Sequence, residues 1–322
     1  MKPVWFLASL LWLTGCGYTG EPLPPALNLP TRVQDVAVVQ RGDQLIIQFS
    51  LPRTSTEGLV LKSTPEVRVY VGATPPGHFD PGSWAAQARV LSAPSEANRY
   101  VTPGAEFAGK DVVVSVKVLN ARGRDAGFSN FAPVHVIPAL AVPAAVRAQA
   151  TAQGVALSWT GAAPEFRVLR QGPGEKQFTL LASVPASPFV DAQAVFGKTY
   201  HYLVQAVAKV PTGSAESELP AAVGITPQDV FPPAVPAGLS AVVGTKSVEL
   251  VWTRNSEPDL ALYRVYRSAP GGTWQALGET RATPNYSDRT VAAGQTYRYA
   301  VTAVDQSGNE SGKSSDVTVT VP

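Results

Sequence analysis

Ser247-Val248-Glu249-Leu250-Val251-Trp252 alternates polar and apolar side chains, which puts Val248, Leu250 and Trp252 on one face of a half-buried strand. After a polar loop, Tyr263-Arg264-Val265-Tyr266-Arg267 alternates again, and Gln295 to Val304 does so at greater length. The segments between are turn-formers, Ala269-Pro270-Gly271-Gly272 and Gln306-Ser307-Gly308-Asn309. Short alternating strands divided by such turns indicate an all-β sandwich.

The same order of stations occurs earlier in the chain. Val155-Ala156-Leu157-Ser158-Trp159 precedes Phe166-Arg167-Val168-Leu169-Arg170, then Phe189-Val190-Asp191, then Gly197-Lys198-Thr199-Tyr200-His201-Tyr202. Arg170, Asp191 and Tyr200 recur 97 residues later as Arg267, Asp288 and Tyr297, whereas Trp159 recurs 93 residues later as Trp252. One fold copied with a loop longer by four residues explains both intervals. Proline-rich punctuation at 136–143 and 226–233 separates the copies, so domains are expected at 31–138, 139–227 and 232–322.

These stations resemble the fibronectin type III domain, with its strand-B tryptophan, its Tyr-x-Asp-like strand E and its Gly-x-Thr-Tyr-x-Tyr strand F. The resemblance implies three tandem immunoglobulin-like sandwiches. It makes Trp159 and Trp252 core residues, and gives Tyr200 and Tyr297 the tyrosine corner, in which a hydroxyl bonds back to the main chain. Residues 31–138 depart from the pattern. Phe49 stands where the tryptophan belongs, after Leu45-Ile46-Ile47-Gln48, and Gly109-Lys110-Asp111-Val112 puts valine at the corner position. Val67 to Val71 and Val112 to Val118 still serve as strands C and F.

At the amino terminus, Met1-Lys2 and an apolar run from Val4 to Leu13 form a short basic and then a hydrophobic region, shorter than the about 20 residues of a membrane span. Leu13-Thr14-Gly15-Cys16 follows at once and resembles the lipobox of bacterial lipoproteins. That resemblance implies cleavage of residues 1–15 as a signal peptide and lipidation of Cys16. Gly17, in place of the aspartate that retains such proteins at the inner membrane, implies sorting to the outer membrane. Residues 16–30 read as a proline-rich tether, at about 3.1 Å per residue long enough to reach roughly 40 Å from a lipid surface.

Cys16 is the one cysteine of 322 residues, so neither an intramolecular disulfide nor a cysteine-built metal site is available. Loss of Lys2 leaves 25 Lys and Arg against 24 Asp and Glu, with no long run of either sign. That balance excludes nucleic acid as the expected partner and leaves membrane attachment to acyl chains.

His78, His135 and His201 fall one to a unit and share no motif, and no Gly-x-Ser-x-Gly elbow occurs. Arg41-Gly42-Asp43 lies between two strands, where glycine and aspartate suit a tight turn better than the partner-binding loop on which some fibronectin domains carry this tripeptide. Asn255 to Asp259 and Asp305 to Glu310 bring oxygen ligands to two loops expected at one end of the last sandwich; calcium is one reading and plain turn chemistry the other. Trp84 and Trp274 follow glycine-containing turns and are read as edge-strand packing or, less simply, as sugar- or protein-facing rings. No catalytic residue, metal or cofactor is expected.

The function expected from these features is non-catalytic: a cell-envelope lipoprotein that presents or spaces fibronectin type III domains for contact with protein or polysaccharide. Two rivals are an enzyme or enzyme accessory acting on polysaccharide, which needs two carboxylates facing across a cleft, and a periplasm-facing subunit of an envelope assembly.

Overall fold

A computed structural model describes residues 27–93, 98–281 and 283–322. Leu13, Thr14, Gly15, Cys16 and Gly17 lie outside these, as does most of the tether. The chain forms two compact units, one built from residues up to Ala139 together with Lys209–Ala215, the other from Leu140–Ala208 and Glu216–Pro322. The described residues are almost wholly strands and turns, with three separate hydrophobic cores, one in the first unit and two in the second.

In the first unit, β1 (Ala37–Arg41), β2 (Gln44–Gln48) and β5 (Arg99–Pro103) form one antiparallel sheet. The other contains β3 (Glu66–Ala73), β4 (Arg89–Ala93), β6 (Lys110–Leu119) and β7 (Ala132–Val136) in the order β4-β3-β6-β7. Gly42 and Asp43 make the two-residue turn from β1 to β2, with Gly42 at φ 58°, a conformation glycine adopts without strain. The core is β-branched almost throughout: Leu45 and Ile47 face Val67, Val69, Val71, Val112 and Val114, all fully buried. Phe49 is buried and stacks on Tyr100 with ring centroids 6.2 Å apart.

One element has no counterpart in the copies that follow. Between β3 and β4 the chain forms α1 (Pro81–Gln87), capped by Asp80, whose carboxylate accepts from Ser83 N–H at 2.7 Å. Trp84 on this helix is 4% exposed, so the expected edge-strand placement is corrected. Its indole packs against Tyr70, Phe79, Phe128 and Phe131, with centroid separations from 5.6 to 6.4 Å. A Cβ on Gly72 would come within 2.9 Å of Trp84 Nε1, so glycine there lets the helix lie against β3.

In the second unit, β8 (Ala144–Thr151), β9 (Gly154–Thr160), β10 (Glu165–Gln171), β11 (Thr179–Val184), β12 (Phe189–Asp191) and β13 (Tyr200–Val210) supply the second sandwich together with β15 (Val223–Ile225), while the end of β13 and most of β14 (Gly213–Glu216) fall in the first unit. The sheets of the second sandwich are β8-β9-β12 and β11-β10-β13-β15. The third consists of β16 (Ser240–Val243), β17 (Val248–Val251) and β20 (Asn285–Asp288) in one sheet. Facing it is β19-β18-β21-β22, where β18 is Leu260–Ser268, β19 Gln275–Thr280, β21 Thr296–Asp305 and β22 Val317–Thr320. Three strands against four, joined in this order, is the fibronectin type III arrangement of an immunoglobulin-like sandwich.

Candidate functional site

Tyr200 is buried, and its hydroxyl oxygen accepts from Val195 N–H at 3.0 Å; Tyr297 accepts from Ala292 N–H at 3.1 Å. Both bonds reach back five residues and hold the turn before strands β13 and β21. Trp159 and Trp252 are each 6% exposed and meet Phe166 and Tyr263 edge-on at 5.4 and 5.2 Å.

Beside each corner lies a polar latch that the sequence reading left unassembled. Asp191 accepts from Arg170 (3.0 Å) and from the hydroxyl of Tyr202 (2.8 Å). Asp288 accepts from Arg267 (2.8 Å) and from Tyr299 (2.8 Å). The arginines also sit over the corner rings, 5.6 Å from the Tyr200 centroid and 5.0 Å from that of Tyr297. The two aspartates are 2% and 1% exposed, and each has the arginine partner and hydrogen bonds that a buried carboxylate requires. Burial raises the Asp288 carboxyl, but bonds from Thr290, Tyr299 and Arg267 outweigh it and hold the group below its ordinary value. Burial and the adjoining carboxylate push the Tyr202 and Tyr299 hydroxyls far up. The Tyr-x-Tyr spacing of strand F was the available signal, since residues two apart share a face.

Strand register identifies the same positions in the first unit. Arg170 pairs with Tyr202 across β10 and β13, as Val71 pairs with Val114 across β3 and β6. Asp191 pairs with Val155 and Thr102 with Leu45, each at the first core position of its strand B. Thr102, 2% exposed, thus stands where the aspartate stands in the later sandwiches. It accepts from Arg89 of β4 at 2.8 Å instead of from an arginine on strand C.

At this place the first unit has an open cleft of about 650 Å³, bounded by the end of β3, the following loop, α1, the start of β4 and the 3-10 turn Ala105–Phe107. Val71 and Trp84 line it, with Pro75, Phe107, Arg89 and Glu106. Besides Thr102, Arg89 donates to Pro103 O (2.6 Å), pairs with Glu106 (2.6 Å), and lies 5.6 Å from the Phe107 ring centroid. Exposed His78 and the helix cap Asp80 are also on the wall. The bonds from Ser83 keep the Asp80 carboxyl below its usual value.

The two acidic loops of the last sandwich do meet. Asp259 and Asp305 are joined by Asp229 from the preceding linker, the three offering carboxylate oxygens within 4.8 Å of one another. Gln306 N–H donates to Asp259 O at 2.9 Å. Buried Asp305 accepts from Asn309 N–H and Nδ2, both at 2.8 Å, and Asp229 accepts from Ser307 at 2.7 Å. The oxygens are of the kind a hard cation takes, and the protein's own donors already bond two of the three carboxylates. Nothing in the sequence pointed to Asp229. The remaining candidates are scattered: His135 pairs with Asp111 at 2.8 Å, His201 is exposed beside Gly224, and Trp274 is partly exposed with Arg298 5.2 Å from its ring centroid.

No family model matches the chain. It is similar to exoglucanase B of Cellulomonas fimi, 31% identical over 194 residues, which is 56% of this chain and 17% of that protein. An amylopullulanase of Thermoanaerobacterium saccharolyticum is 38% identical over 97 residues, 30% of this chain and 7% of the relative. The chain therefore spans less than a fifth of either protein. Among solved structures, a Fn3-like protein from Clostridium thermocellum is 35% identical, with 29% of this chain and 96% of that one covered and a TM-score of 0.25. The FN1–FN3 domains of chicken CNTN1 cover 90% of this chain and 98% of their own at 11% identity and a TM-score of 0.29. Stretches of this chain are thus similar to stretches of an exoglucanase and of an amylopullulanase, and its paired three- and four-stranded sheets make the fold one of fibronectin type III sandwiches.

Proposed function

We propose that the chain is a non-catalytic cell-envelope lipoprotein, anchored through Cys16 and sorted to the outer membrane, whose fibronectin type III sandwiches make contact with polysaccharide. The observation that carries this reading is the way the relatives match. A shared stretch of 194 residues in a chain built almost entirely of sandwiches consists mainly of sandwich, and it is 17% of the exoglucanase. Such domains accompany secreted glycosidases as accessory parts, so contact with polysaccharide, and not hydrolysis, is what the similarity supports.

The cleft chemistry agrees with a non-catalytic role. Hydrolysis of a glycosidic bond needs a carboxylic acid whose pKa is raised so that it donates a proton. Asp80 is shifted the other way, and Glu106 is exposed and paired with Arg89. Among the described residues no helix is long and apolar enough to cross a membrane.

Two measurements test it. Cells fed labelled palmitate incorporate label into the wild-type chain and not into Cys16→Ser; equal labelling of both defeats the anchor. The purified chain sediments with an insoluble glucan or with isolated cell wall and releases no reducing sugar from either; release of sugar defeats the non-catalytic reading.

A further inference from the structure

We infer that the cleft of the first unit is a binding site for a short stretch of neutral oligosaccharide, opened by the loss of the Arg-Asp-Tyr latch from that sandwich. This inference rests on the reading that the chain contacts polysaccharide, and it names which sandwich does so and through which residues.

The first argument is comparative. In the second and third sandwiches a long arginine and a tyrosine from the C and F strands converge on a buried aspartate and fill the end of the sandwich. In the first unit Val71 and Val114 hold the arginine and tyrosine positions, and both are fully buried. Their side chains are too short to fill that space, and Val71 forms part of the cleft wall. Arg89 approaches Thr102 from a different strand, so its guanidinium ends at the mouth of the cleft beside Glu106. The volume of about 650 Å³ falls in the range of ligand sites, whereas the latch of the later sandwiches occupies its own space with side chains.

The second argument is the chemistry of the wall. A sugar ring presents C–H faces and a rim of neighbouring hydroxyls, each both donor and acceptor. The cleft offers apolar surface from the partly exposed Phe107 and Pro75 next to the exposed Glu106 carboxylate and His78 ring, with the Arg89 guanidinium held at its edge by Glu106, Thr102 and Pro103 O. The single arginine is paired with a carboxylate and a second carboxylate stands opposite, so neither a polyanion nor a polycation is matched by charge. Helix α1 is held by the aromatic cluster around Trp84, so this wall is in place before a ligand arrives.

The experiment titrates the full chain with cellopentaose, maltopentaose and chitopentaose, followed by tryptophan fluorescence and by calorimetry. At least one of the three is expected to bind saturably at one site, with Glu106→Ala and Phe107→Ala each weakening it at least tenfold and Trp274→Ala, in the other unit, changing it less than twofold. Phe107 packs partly on the core, so Glu106→Ala and His78→Ala, both exposed, carry the result if Phe107→Ala fails to fold. Saturable binding that Glu106→Ala leaves unchanged overturns the inference, as does the absence of binding by all three sugars. Sedimentation with insoluble polysaccharide separates the two levels. A chain that sediments equally well with and without Glu106→Ala keeps the broader reading and loses this site. A chain that binds a pentasaccharide in the cleft but sediments with no polysaccharide keeps the site and loses the broader reading. Displacement of the sugar by a protein of the envelope, at equal affinity for wild type and Glu106→Ala, assigns the surface to protein contact instead.

Discussion

The second and third sandwiches and the first unit solve the same packing problem with different chemistry. The later two bury an ion pair and a tyrosine hydroxyl beside an aromatic core, whereas the first packs valines against valines and holds Arg89 at the edge of a cleft. A buried charge is tolerated only with full hydrogen bonding, so the latch ties strands C, E and F together in one geometry. Valines make no such demand. Without the latch, the first unit keeps the sandwich through apolar area and neutral buried hydrogen bonds, such as those of Gln40 to Ile137 and of Ser115 to Ser129, and the end of its sheet carries a helix and a recess.

The largest expected effect comes from breaking a latch. Asp288→Ala leaves the Arg267 charge and the Tyr299 hydroxyl without their shared acceptor, and should destabilise the third sandwich by about 3 kcal/mol in urea unfolding. Thr102→Val in the first unit removes a single neutral acceptor from an arginine that keeps Pro103 O and Glu106, and should cost about 1 kcal/mol. Equal losses would erase the distinction between the two kinds of sandwich.

A pH titration sharpens the same comparison. Because the folded Asp288 carboxyl lies below its ordinary value of 3.8, its contribution is complete above that pH and is lost as the pH falls through the folded value. Thermal unfolding followed from pH 6 to pH 2 should show the third sandwich weakening below about pH 4, and Asp288→Ala should flatten that limb. An unchanged acid limb would mean that other carboxylates carry it.

Smaller again is the tyrosine corner. Tyr200→Phe and Tyr297→Phe each take one acceptor from a main-chain N–H and should cost about 1 kcal/mol. Tyr200 is the more buried of the two, so its variant should show the larger shift in the denaturation midpoint.

Much of this was readable along the chain. The alternation that ends in Trp252, its copy ending in Trp159 and the equal spacing of Arg170, Asp191 and Tyr200 to their partners identify a repeated sandwich, because a strand's two faces are written in its residue order. Helix α1 was less legible: Asp80-Pro81-Gly82-Ser83 reads as a turn, although Asp at the cap and Pro at the first position also start helices. Seven residues are too few for a helix to stand alone, and this one exists because Trp84 buries itself among Phe79 just before the helix, Tyr70 of β3 and the distant Phe128 and Phe131.

The sequence alone therefore determined the strands and their copying, since these rest on local order and spacing. The tertiary structure decided which polar groups meet. Arg170 finds Asp191 and Tyr202, Asp229 joins Asp259 and Asp305, and Arg89 turns to Thr102 at the edge of a cleft, all through contacts between residues 11 to 76 positions apart. Such pairings depend on register and on the size of the neighbouring side chains, and a linear pattern carries neither.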